Sequence, residues 1–191
     1  MASQEAARDR AFEYARTVAL SDGVFSIAMT LLVLSIGVPT SRTELAHRLW
    51  SHTDEILSYV VSFAVIAQLW VHHHRFFRDV HRIDNRLTAL NLLYLGLIAF
   101  IPYPTDVLGL YGGHATAAVV LYAMTVLATS FVSGAMRRHA VRNGLQARPL
   151  ERDQSLILQA VFLLSIPIAF VSPLAAMLSW LLLVVRRFVR I

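Results

Sequence analysis

The chain has 191 residues, of which 57% are hydrophobic and 15% charged, with a mean hydropathy of +0.58. Soluble domains carry about 45–50% apolar and about 25% charged residues, so an ordinary soluble domain and a disordered chain are both excluded. The net charge of +5 is carried by arginine alone, and neither lysine nor cysteine occurs. That excludes Schiff-base and P-loop lysines, disulfides, thiolate metal centres and a cysteine nucleophile.

Residues 1–17 are polar and charged and show no cleavable signal-peptide pattern. The first apolar run, Val18–Val38, ends at Pro39. As a helix it is about 31 Å long, enough to cross the hydrocarbon core. Five further runs follow: Ile56–Val71, Leu87–Tyr103, Thr116–Met136, Leu156–Val171 and Leu174–Val185. The last two are separated by Ser172 and Pro173 and read as a tight helical hairpin. The chain is therefore expected to be an all-α membrane protein, with residues 1–191 forming one domain of six transmembrane helices. No span is broken midway by a Gly-Pro pair, and no internal repeat is evident.

Arginine placement sets the orientation. Arg8, Arg10 and Arg16 precede the first span, Arg75, Arg78, Arg82 and Arg86 follow the second, and Arg137, Arg138, Arg142, Arg148 and Arg152 follow the fourth. Arg186, Arg187 and Arg190 end the chain, whereas the opposite side holds only Arg42 and Arg48. The positive-inside rule places both termini in the cytoplasm. It also explains the net charge with the bilayer as partner and without nucleic acid.

Several polar residues sit where apolar ones are expected. Asp22 lies near the start of the first span, where a carboxylate costs about 2.5–3.5 kcal/mol on insertion scales. A helix N-terminus also tolerates an anion through the macrodipole. Trp70, His73 and His74 have the i, i+3, i+4 spacing that shares a helix face, and Asn91 lies early in the third span. The alternating topology puts these groups, with Ser21, in one layer near the cytoplasmic side. A mutual hydrogen-bonded network would satisfy them. Adjacent histidines on a helix point about 100° apart, so His72, His73 and His74 cannot all bind one metal ion, and no metal or cofactor is expected. Interfacial amphipathic residues at a helix end remain an alternative reading of this group.

On the first span Ile27, Leu31 and Leu34 share one face, with Ser26 and Thr30 beside it. By periodicity alone such a stripe is far more often a lipid-facing or packing surface than a pore lining. Arg16-Thr-Val-Ala-Leu-Ser-Asp-Gly-Val-Phe-Ser-Ile-Ala-Met-Thr-Leu-Leu32 resembles the first-helix signature of the transmembrane protein 175 family, endolysosomal potassium channels and their bacterial relatives. Arg16, Ser21, Asp22, Thr30, Leu31 and Leu32 match that signature, whereas Leu20 stands where the family has Phe. Trp70-Val-His-His-His74 resembles the family's Trp-x-x-His-His. Asn91-Leu-Leu-Tyr-Leu and Ile-Pro-Tyr-Pro-Thr105 resemble its third helix.

The resemblance implies a six-span subunit of a homotetramer in a cell membrane (the inner membrane, for a bacterial member), with the first helix lining a central pore for permeant potassium. Carried over by position, Ile27 forms the narrowest hydrophobic ring and Leu31 and Leu34 further rings. Thr30, behind that lining, supports selectivity. Arg16, Ser21, Asp22, Trp70, His73 or His74, and Asn91 form the cytoplasmic-side network. No Thr-Val-Gly-Tyr-Gly filter occurs, so the expected constriction is an apolar throat that gates by dewetting. The competing readings are a proton-coupled transporter using Asp22 and the helix-two histidines, a metal- or haem-binding membrane enzyme, and a structural subunit. No Ser-centred nucleophile motif or His-Glu-x-x-His motif is present to support an enzyme.

Overall fold

A computed structural model describes residues 2–37, 53–111, 114–146 and 155–188. Val38, Pro39, Arg42, His47, Arg48, His52, Arg148, Arg152 and Arg190 lie outside the described residues. The described chain is helical: α1 (Ala2–Leu31) running into a 3-10 turn (Leu32–Ser35), α2 (Thr53–Asp79), α3 (Asn85–Phe100), α4 (Pro102–Tyr111), α5 (Thr116–Arg142), α6 (Ser155–Val171) and α7 (Pro173–Phe188). Four stretches are long and apolar enough to cross a membrane: Phe12–Ser35, Thr53–Asp79, Asn85–Tyr111 and Thr116–Arg142. Leu156–Val171 is a shorter apolar helix.

Several bounds differ from the sequence expectation. The first helix begins well before Val18 and loses α geometry after Leu31; Ile36 is already extended (φ −89°, ψ 110°). Helix α2 runs on to Asp79, so the histidine triplet, Arg75 and Arg78 lie within the helix rather than at its end or in a loop. Arg137, Arg138 and Arg142 likewise sit on the last turns of α5.

The third apolar column is divided at Ile101, where Pro102 offers no N–H and begins α4. Residues 102–111, expected as span end and loop, are therefore helical. The Ile101 carbonyl accepts from both the Thr105 N–H (3.1 Å) and its hydroxyl (2.9 Å), so the break leaves this carbonyl satisfied.

Local chemistry explains the other ends. Asp84 caps α3 by accepting from the Leu87 N–H at 2.7 Å. Helix α5 stops at Gly144, whose φ of +60° is the left-handed conformation glycine adopts without strain. The Leu145 N–H then reaches back to the Ala140 carbonyl (2.8 Å) and the Gly144 N–H to Val141 (3.2 Å), the paired bonds of a Schellman motif. The segment leaving this turn meets the end of α2 through an isolated antiparallel bridge between Val80 and Gln146.

Helix α5 lies against α3, α4 and α6, while α2 packs on α4. Tyr122, Phe162 and Trp180 bind α5, α6 and α7 together: Trp180 stacks on Tyr122 at 5.0 Å and on Phe162 at 5.1 Å. Phe162 and Trp180 flank the Ser172 turn, so α6 and α7 form the hairpin expected from the sequence. Helix α1 and its 3-10 turn contribute Phe25, Ala28 and Leu32 to the core.

Candidate functional site

The site is built where α1, α2 and α3 meet. Ser21 and Asp22 come from α1, Trp70, His73 and His74 from α2, and Asn91 from α3. His73 is buried among aromatic rings: Tyr94 lies parallel to it (5.3 Å, 12°), Phe77 at 4.6 Å and Phe25 at 5.4 Å. In such a setting an imidazole needs a hydrogen-bond partner, and Asn91 Oδ1 lies 2.8 Å from Nε2. Because the amide oxygen only accepts, Nε2 carries the proton. The Asn91 amide donates to Ser21 Oγ at 3.1 Å, and the Ser21 hydroxyl donates to the Thr17 carbonyl at 2.9 Å. The bonds run in one direction, from α2 through α3 to the backbone of α1.

A second link is parallel to it. The Trp70 indole N–H donates to Asp22 Oδ1 at 2.9 Å, and His74 packs on the Trp70 ring at 5.4 Å. Asp22 therefore lies on the α2-facing side of α1, its carboxylate bonded directly to a neighbouring helix. Arg16 is placed differently. Its guanidinium lies 5.8 Å from the Phe12 ring centroid, and no described hydrogen bond joins it to this layer.

Above this layer α1 presents two unlike faces. Phe25, Ala28 and Leu32 are fully covered, whereas Ile27, Leu31 and Leu34 are 60%, 43% and 74% exposed. Leu34 stays in line with Leu31 although it lies in the 3-10 turn, because side chains three apart eclipse in that geometry. Thr30 is also exposed, and its hydroxyl returns to the Ile27 carbonyl at 2.9 Å. Within one subunit it stands beside the aliphatic residues rather than behind them.

Two partnerships were not read from the sequence. Tyr14 donates to the Phe77 carbonyl at 2.6 Å, joining the polar part of α1 to the end of α2. His139, on the last turns of α5, pairs with Asp84 at 2.8 and 3.0 Å. Partial burial pushes the Asp84 carboxyl up, but the Leu87 N–H, His139 and nearby Arg82 outweigh it and hold it below the usual carboxylate value. Asp84 immediately before an apolar helix was a readable capping signal; nothing local pointed to a partner on α5. Among the described residues no three His, Cys, Asp or Glu side chains group as metal ligands.

This geometry falls inside a region of known likeness. A family model described as "Endosomal/lysosomal potassium channel TMEM175" matches residues 16–102, which include every residue of the layer. The crystal structure of a lysosomal potassium-selective channel TMEM175 homolog from Chamaesiphon minutus superimposes with a TM-score of 0.81 at 33% identity, over 93% of this chain and 97% of that one. The chain belongs to the TMEM175 family. A potassium channel of Streptomyces collinus is 41% identical over 139 residues, covering 69% of this chain and 66% of its own length. One of Chamaesiphon minutus is 41% identical over 134 residues, covering 67% and 66%. The chain thus spans about two thirds of the length of these curated relatives, 66% of each. They are named as channels, not as enzymes.

Proposed function

We propose that this chain is one subunit of a potassium channel in a cell membrane, and that the ion path runs along the exposed face of α1. The observation that carries this reading is the uncovered aliphatic line of Ile27, Leu31 and Leu34 on the helix that holds the family signature. One helix lines only one side of a pore, so such a path needs several copies around an axis; a homotetramer gives four. Arginine placement supports six spans with both termini in the cytoplasm, and the Chamaesiphon channel matches this chain over 93% of its length.

In that assembly four Ile27 side chains form a narrow apolar throat with Leu31 and Leu34 beyond it. Ile27 sits about 14 Å into the apolar run that starts at Val18, near the midplane. An apolar constriction expels water, and an ion crossing it loses hydration. Potassium holds its water less tightly than sodium, so the throat passes it more readily. Thr30 supports that preference with a hydroxyl beside the ring. The Ser21–Asn91–His73 and Asp22–Trp70 links fix α1 against α2 and α3, and so fix the radius of the throat. The ordered proton positions around His73 favour one other reading, a proton-coupled carrier using Asp22 and the histidines.

Flux into liposomes holding the purified protein tests both. Wild type is expected to carry potassium down its gradient without a proton gradient, in preference to sodium. Ile27→Asn is expected to raise the rate several-fold and to erode that preference, because a polar ring keeps the throat wet. Flux that depends on a proton gradient and ignores Ile27→Asn would replace the channel with the carrier.

A further inference from the structure

A cleft of about 280 Å³ opens between the start of α3 and the end of α5, lined by Arg86, Leu90, Ala135, Arg138, His139, Arg142 and Asn143. We propose that it is a binding site for the phosphate headgroup of an anionic phospholipid. It lies apart from the Ser21–Asn91–His73 layer and from the α1 face. The inference rests on the membrane reading of the fold but not on ion conduction.

Charge supports it first. Arg86, Arg138 and Arg142 come from two helices and converge on one concavity, and none of them makes an ion pair with a described residue. Asp84, two residues before Arg86, already accepts from the Leu87 N–H and pairs with His139. The Asn143 amide nitrogen lies 3.1 Å from His139 Nδ1 and donates to it, so the His139 proton is on Nε2 and directed at Asp84. Asp84 makes no ion pair with any of the three guanidinium groups, which can hold an anion in the forked geometry that suits phosphate.

Depth supports it second. Arg86 lies on the first turn of α3 and Arg138 and Arg142 on the last two turns of α5, all at the helix ends. Leu90 and Ala135 lie about one turn further toward the middle of the same helices. The cleft is therefore cationic at its rim and apolar below, the order in which a phospholipid presents its phosphate and its acyl chains. Arginines that merely mark the cytoplasmic side need no common concavity and no apolar floor. Basic pockets between membrane helices on that side are where anionic headgroups bind.

Native mass spectrometry on the full chain, reconstituted with equal phosphatidylglycerol and phosphatidylcholine and then released, counts the lipid retained. Wild type is expected to keep phosphatidylglycerol over phosphatidylcholine. Arg138→Gln with Arg142→Gln is expected to lower its retention by roughly tenfold. Arg75→Gln with Arg78→Gln removes the same charge from the exposed surface of α2 at the same end, and is expected to change retention less than about twofold. Ala135→Phe, which fills the cleft without altering charge, is expected to match the first pair. Equal loss in both arginine pairs would mean diffuse surface attraction and would overturn the site. So would unchanged retention in Ala135→Phe, or a wild type that takes up inorganic phosphate but keeps no phosphatidylglycerol. Because retention is read without flux, a chain that conducts but keeps no lipid overturns this proposal alone. One that keeps lipid but does not conduct overturns only the channel.

Discussion

His73 shows how few groups hold the polar layer together. Its ring is lined by Phe25, Phe77 and Tyr94, so shape alone would admit phenylalanine, and only the bond to Asn91 marks the position as polar. Leaving a buried donor or acceptor without a partner costs about 1–3 kcal/mol. Asn91→Leu orphans the His73 N–H, and His73→Phe orphans Asn91 Oδ1, so each alone should destabilise by roughly that amount. The double variant removes both ends of the bond. Ser21 still donates to the Thr17 carbonyl, so little is left unsatisfied in the double variant. Its cost should fall below the sum of the single costs by about 1 kcal/mol or more. Thermal unfolding of the three variants in detergent measures this; simple additivity would mean that the bond contributes nothing to stability.

At the scale of elements, the close approach of α2 and α4 depends on Gly109. A Cβ there would stand 3.0 Å from Ser58 Oγ, 3.3 Å from Glu55 Cα and 3.4 Å from Glu55 Cγ. The Ser58 hydroxyl can turn aside, but the α2 backbone at Glu55 cannot, so the helices must separate. Helix propensity favours alanine over glycine by about 1 kcal/mol, while overpacking costs about 1–3 kcal/mol. Gly109→Ala should therefore lower the unfolding temperature. Gly96→Ala, where a Cβ meets nothing within 4 Å, should raise it. A rise in both would show that the α2–α4 contact yields easily. The same elements show where the sequence was readable. Ser21, Asp22, Trp70 and Asn91 stood out because polar groups in apolar helices need partners, and depth alone put them in one layer. The α3–α4 break was missed because Pro102 lay at the apparent end of a span and the residues beyond it read as a loop. The Asp84–His139 pair joins residues far apart in sequence, and only the packing of α5 on α3 creates it.

At the scale of the whole molecule, the exposed face of α1 must meet either lipid or other subunits. Ile27, Leu31 and Leu34 are aliphatic, and either surrounding would accept them, so burial within one subunit does not separate the two. Symmetry does. If α1 lines an axis, a single substitution at Ile27 appears once per subunit in one ring, where the copies face each other. On a lipid-facing helix the copies stay far apart. The chain contains no cysteine, so Ile27→Cys introduces one thiol per subunit and no background. Thiolates are soft ligands, and a ring of them should hold a cadmium ion in the path and block potassium flux at micromolar concentrations. Leu92→Cys, at an exposed apolar position on α3, supplies the same thiol without the ring and should leave flux unchanged. Cadmium block at Ile27→Cys, reversed by a chelator and absent at Leu92→Cys, would place the copies of α1 around one axis. Block at neither position would assign the Ile27 face to lipid and move the ion path to another surface of the subunit.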